Sequence, residues 1–220
     1  SNIAVGALVA GSAASKARHG MNDSIARLST GMRSMHGGDA GGQSVANTLE
    51  ARSKSWAIAA RNAEDGISVA QTAESALLEI AALAQRLREI GIQADNVALH
   101  QSASDKAAYD AEAAALGTAI DQIVTKATFN GVVILSKADL TRDIGVTDDG
   151  GTVTLNLKKV SVATRTVGAG ADGSADTTLQ EVAIALGNVA AGIAALKGRQ
   201  AVAYSASANL AAAAARIEDT

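Results

Sequence analysis

Not one proline interrupts the 220 residues of this chain. Proline removes a backbone donor and its ring clashes with the preceding helical turn, so its absence leaves glycine as the main interruption to helix. Arg61 to Ala94, RNAEDGISVAQTAESALLEIAALAQRLREIGIQA, uses that freedom. Within it Ala70, Ala73, Leu77, Ile80, Ala84, Leu87, Gly91 and Ala94 follow one another at alternating steps of three and four, the heptad seam of a helix laid along another helix. Val69, Ala76, Leu83, Ile90 and Val97 form a second row beside the first, one every seven residues. Two rows require at least two helical neighbours.

The C-terminal part carries the same spacing through Leu179, Val182, Leu186, Val189, Ile193, Leu196, Gln200, Ala203, Ser207, Leu210, Ala214 and Ile217. At the rise of an α-helix, a seam of about forty residues makes a rod of roughly 60 Å. The long helix therefore finds its best partner in the C-terminal helix, brought back antiparallel. Shorter seams run through Met21, Ile25, Leu28, Met32 and Met35 near the N-terminus, and through Leu116, Ile120, Ile123 and Ala127 further on. The expected fold class is mainly α: a long antiparallel helical rod or coiled-coil bundle with a small β-hairpin region.

Hydrophobic residues make up 48% of the chain but aromatics only 2%, so the apolar surface is largely alanine. Alanine buries little area at roughly 25 cal/mol per Å². Such a chain draws stability from long continuous contacts or from neighbouring copies of itself, a first indication of assembly. With 19 basic and 22 acidic residues, net charge −3, dispersed along the chain, there is no electrostatic reason to expect nucleic acid or an anionic membrane as partner. The absence of cysteine excludes disulfides, thiolate metal sites and cysteine nucleophiles. The opening SNIAVGALVAGSAASKARHG has a short apolar run without a preceding basic region, so a cleaved secretory signal is not expected, and no run reaches the roughly 18 apolar residues of a membrane span.

Glycines cluster at Gly37, Gly38, Gly41 and Gly42, at Gly150 and Gly151, and at Gly168, Gly170 and Gly173, dividing the chain into helical ends around a strand region. Between Ile144 and Val162 the period changes, with Val153, Leu155 and Leu157 alternating with Thr152, Thr154 and Asn156. Asp149-Gly150 supplies residues that accept positive φ, and the stretch reads as a β-hairpin. Val167 to Thr177, VGAGADGSADT, is rich in turn formers and poor in apolar anchors. It is expected as a surface loop ending at a helix N-cap, Asp176 or Thr177.

Nothing in the chain assembles chemistry. His19, His36 and His100 stand far apart, without a second ligand at helical spacing or an HExxH pair, and read as surface histidines. No GxSxG marks a serine nucleophile. GGDAGGQ, Gly37 to Gln43, lacks the closing Gly-Lys-Ser/Thr of a P-loop and follows a helix, so it reads as a flexible turn between helices. Arg86, Arg88 and Glu89 read as a solvated helix face, and Trp56, among alanines, as a packing residue rather than an interface anchor. No catalytic residue, metal ligand or cofactor is expected.

SIARLSTGMR (Ser24 to Arg33), ARNAEDGISVAQTAESALLEI (Ala60 to Ile80), AQRLREIGIQADN (Ala84 to Asn96), ATFNGVVIL (Ala127 to Leu135) and ARIEDT (Ala215 to Thr220) resemble the signature segments of bacterial flagellin, in that family's order. IGVTDDGGTVTLNLKKV resembles the flagellin segment after its FNG motif. The resemblance implies N- and C-terminal helices paired into a rod, a short β region near its top, and rods bundled side by side into a tubular filament. It assigns residues 1–40 to the N-terminal helix of the inner filament core and its turn, 41–135 to the N-terminal long helices of the rod, 136–176 to the hairpin and loop, and 177–220 to the C-terminal long helix. Three departures stand out. A short glycine-rich loop replaces the family's variable outer insertion, RSMHGGDAGGQ is about one residue shorter than the common pattern, and the sequence stops at Thr220 where flagellins continue into a final helix that pairs in the inner tube.

The implied function is a self-assembling structural subunit of the flagellar filament supporting swimming motility, extracellular and exported without a cleaved signal peptide. Its implied partners are other copies of itself, the flagellar export apparatus with a secretion chaperone, and hook-associated and cap proteins, with no nucleic acid and no membrane insertion. Flagellins are also recognised by a host Toll-like receptor, and Arg86 and Ile90 in AQRLREI and Glu112 in DAEAAAL match its contact positions, with isoleucine in place of leucine. The residues expected to pack the helix seams are Leu77, Ile80, Leu87, Leu186, Val189, Ile193, Leu196 and Leu210. A hook-filament junction protein, or a cell-surface flagellin homologue binding a glycan or host surface, is the alternative.

Overall fold

Four long helices and two small hairpins follow one another along the chain in a computed structural model, which describes residues 2–30, 40–96, 102–163 and 165–219. Helix α1 runs Asn2–Thr30, α2 Ala40–Ala94 and α3 Ala103–Lys126; the strands are β1 Thr128–Phe129, β2 Val132–Val133, β3 Leu140–Gly145 and β4 Thr152–Leu157; a short 3-10 turn at Val167–Ala169 precedes α4, Ala171–Glu218. The fold is mainly α with a small antiparallel strand region. The chain divides into two compact units, residues 1–58 with 203–220, and residues 59–202.

In the larger unit α2 and α4 run antiparallel. Arg88 of α2 meets Asp176 of α4, and a side chain added at Gly91 would meet Asp172 while one added at Gly66 would meet Leu196. The core is built from Leu77, Ile80, Leu87 and Ile90 of α2, Ile120 and Val124 of α3, and Val182 and Val189 of α4. The two apolar rows of α2 thus face two helices. Leu155 and Leu157 of β4 and Ile134 and Leu135 before β3 close the same core.

Local chemistry sets the element ends. Ser102 caps α3 by accepting from the Asp105 amide at 3.0 Å, and Asp105 in the first turn and Lys126 in the last complement the helix dipole. At Asn130 and Gly131 the backbone takes φ of 49° and 77°, the positive-φ pair of a two-residue hairpin turn. It registers Thr128 with Val133 and Phe129 with Val132. This hairpin lies in ATFNGVVIL, where Asn-Gly between β-formers is its signal.

The second hairpin begins earlier than the alternation indicated. β3 pairs with β4 from Leu140 opposite Leu157 to Gly145 opposite Thr152, whereas Lys158 to Ala163 is not strand. Leu155 and Leu157 are buried while Thr152, Thr154 and Asn156 face solvent. The turn carries Gly150 at φ 91°, with Val146 N–H donating to Gly151 O at 2.9 Å.

Val167 to Thr177 is not a surface loop. Gly170, at φ 85°, ends the 3-10 turn, and α4 is already helical at Ala171, so Asp176 and Thr177 lie inside it rather than at its cap. Val167, Ala171 and Ala175 are the anchors, all buried in the main core; alanine at these sites provides a close approach that low hydropathy disguises. Gly41 and Gly42 likewise lie within α2, while the rest of the glycine turn, residues 37–39, is outside the described residues.

In the smaller unit, Ser53 Oγ donates to Ser207 O at 2.8 Å and Ser207 Oγ donates to Ser53 O at 3.0 Å. This reciprocal pair joins α2 to α4 where Ala46, Ala203 and Ala214 are buried. Helices with such small side chains come close enough for hydroxyls to reach the opposite backbone.

Candidate functional site

Two surfaces are built by the residues singled out in the sequence. The first joins α2 to α3. Arg86 Nε and Nη2 donate to Glu112 Oε1 at 3.0 and 2.8 Å, and Nη1 donates to Glu89 Oε2 at 3.3 Å. The fork geometry of the guanidinium holds both carboxylates at once. The Glu112 hydrogen bond, then that of Glu89, raises the Arg86 pKa. Side chains of Arg86 and Glu112 remain 46% and 43% exposed, so this is a preorganised charged patch open to solvent.

Ile90 does not join it. Its side chain is fully buried in the core, two helical turns' worth of seam from Leu83 in the row that the seven-residue spacing had identified. The structure therefore brings together Arg86 and Glu112 and assigns Ile90 to packing. Arg88, on the same helix, instead reaches Asp176 at 2.6 Å; no sequence signal linked those two.

Among the seam residues, Leu77, Ile80, Leu87, Val189 and Leu196 are buried, and Leu186, Ile193 and Leu210 half-buried. Leu196 packs with Ala63 and Val146 in a satellite of the main core. Trp56 is half-buried and His19 exposed; His36 and His100 lie outside the described residues.

The second surface is the seam of α1. Met21 and Ile25 are more than half exposed and Leu28 is 86% exposed, three apolar side chains at steps of four and three along one stripe. Met32 and Met35, which extend that seam, fall outside the described residues. Apolar side chains in such a stripe are ordinarily the face a helix turns to a neighbour. Among the described residues no three of His, Cys, Asp and Glu cluster as a metal site would require.

Comparison with known proteins gives these surfaces a context. Residues 2–139 match the family model of the bacterial flagellin N-terminal helical region. The chain is similar to phase 1 flagellin of Salmonella naestved, 38% identical over 148 residues, covering 67% of this chain and 29% of that protein. It is similar too to flagellin of Salmonella muenchen, 39% identical over 151 residues, covering 68% of this chain and 29% of that one. Among solved structures, that of Bacillus cereus flagellin aligns with a TM-score of 0.45 at 24% identity, covering 68% of this chain and 88% of that chain.

Proposed function

Since this chain belongs to the bacterial flagellin family through its N-terminal helical region, we propose that it is a structural subunit of the flagellar filament and works by packing its helices against those of other copies. The chain spans less than a third of the length of the curated relatives it matches. The observation that carries the reading is the apolar stripe of α1, with Met21, Ile25 and Leu28 in water on a helix that belongs to the family's matched region. In a filament this stripe is covered by neighbouring helices, and the area it removes from water drives association. No bond is made or broken in this activity, and it uses no cofactor.

The location that follows is extracellular, in the bacterial flagellum, with the flagellar export apparatus, a secretion chaperone, and hook-associated and cap proteins as the partners of its passage and assembly. The Arg86 and Glu112 patch is the surface for a host Toll-like receptor, which would read a preformed ion pair.

Sedimentation after seeding or addition of a precipitant, followed by negative-stain electron microscopy of the pellet, tests the reading. Regular tubes are the expected result. A chain that stays monomeric under every seeding condition, or pellets only as amorphous material, contradicts it.

A further inference from the structure

A groove of about 520 Å³ opens in the larger unit between α2 and the two hairpins. Val69, Phe129, Val132, Ile134 and Ile144 form its apolar wall, and Asp65, Asp143 and Arg142 stand among them. Val132 and its neighbour Val133 are 47% and 40% exposed, so apolar surface meets water at the mouth. Arg142 does not serve the carboxylates: its Nη1 and Nη2 donate to Thr141 O and Val133 O at 3.0 and 2.8 Å. Asp143 accepts from a neutral donor, Thr154 Oγ1, at 2.6 Å. Two carboxylates against one guanidinium leave the groove acidic, and neither Asp65 nor Asp143 has an ion pair among the described residues.

The complement of this groove lies on α4. Ala195, Arg199 and Val202 follow one another at steps of four and three, all exposed. Arg199 has no ion pair among the described residues, and Val202 is 52% exposed. No residue of α4 lines the groove, so this cation and those carboxylates belong to separate surfaces of one chain.

We propose that Arg199 and Val202 of one copy seat in the groove of a second copy, Arg199 against Asp65 and Asp143, and Val202 against Val132. The proposal rests on the reading of the chain as a self-assembling subunit and adds to it a contact separate from the α1 stripe. The fork of a guanidinium holds two carboxylates at once, and the two valines remove each other's apolar surface from water. Ion pairs at an exposed rim contribute little affinity. Burial therefore supplies the attraction, while charge selects the partner and fixes how it sits. Because groove and knob are different patches, the contact is heterologous: a copy that offers its Arg199 keeps its own groove open for the next, and the series of contacts continues.

Asp65→Lys and Arg199→Glu, both at exposed positions, invert the two halves separately. Sedimentation velocity at low ionic strength compares each variant, their equimolar mixture and the unmodified chain, once circular dichroism has matched their helix content. Each variant alone is expected to associate at least about tenfold more weakly than the unmodified chain, and the mixture to recover to within about threefold, as the acidic knob of one meets the basic groove of the other. Variants that each associate as the unmodified chain does, or a mixture that associates no more than its components, overturn the proposal. So does association of the unmodified chain that fails to weaken as salt is raised to physiological strength, whether or not the variants fold. Microscopy of the same samples separates this contact from the filament reading. Tubes from the unmodified chain with no effect of the charge swap leave that reading standing and overturn this contact; recovery in the mixture without tubes supports the contact and contradicts that reading.

Discussion

Two glycines of similar sequence context differ in what surrounds them. An added Cβ at Gly91 would stand 2.6 Å from the backbone nitrogen of Asp172, where nothing can swing aside, whereas at Gly198 it would meet nothing within 4 Å. Gly91→Ala should therefore destabilise the chain by about 1–2 kcal/mol, overpacking outweighing the better helix propensity of alanine. Gly198→Ala should stabilise it by roughly 0.5–1 kcal/mol. Urea unfolding of the two variants beside the unmodified chain checks both signs. Leu196, buried against Ala63 and Val146, should cost about 2–5 kcal/mol when cut to alanine, read in the same titration. At this scale the sequence carried a warning about Ile90. The row Val69, Ala76, Leu83, Ile90 placed it on a helix-facing stripe, while family likeness placed it at a receptor, and spacing proved the better guide to burial. The pairing of Arg86 with Glu112 across 26 positions could only come from the fold or from likeness, because no local periodicity links residues on different helices.

Among elements, the long helices were legible because seams repeat at steps of three and four over many turns, and the hairpin β3–β4 because its apolar residues alternate. Boundaries were not. The glycines, aspartates and serine at the start of α4, residues of low helix propensity, predict a loop, yet Ala171 and Ala175 are buried and tertiary packing decides. The turn at Asn130-Gly131 is legible from Asn-Gly between β-formers. Gly131, at φ 77°, should lose about 1–2 kcal/mol on replacement by alanine, the cost of a side chain in left-handed backbone; thermal unfolding checks it. Asp139, immediately before β3, accepts from Lys158 Nζ and the Lys159 amide. The Lys158 hydrogen bond, then that of the Lys159 amide, lowers its pKa, so its contribution is present above the unfolded value and lost as pH falls through the folded one. Asp139→Asn should flatten the fall of the urea midpoint below about pH 4 and leave its neutral-pH slope unchanged. An equally steep acid limb in the variant would show that Lys158 and Lys159 do not act through this carboxylate.

For the whole molecule, the proposed assembly rests on apolar side chains that the smaller unit leaves unburied. A chain with 2% aromatics that keeps Met21, Ile25 and Leu28 in water has its remaining apolar area where a neighbour can reach it. The seam of α1 was legible as a seam, but not as an exposed one, since periodicity identifies a face and says nothing of what covers it. The measurement that tests the central claim most directly places a charge on that stripe. Leu28→Glu is mixed with seeds of the unmodified chain, and pelleted tubes are counted by negative-stain microscopy after circular dichroism has matched its helix content to that of the unmodified chain. Loss of tube growth at unchanged helix content is the predicted result. Tubes growing as readily as from the unmodified chain would contradict the assignment of the α1 seam as the surface through which copies join.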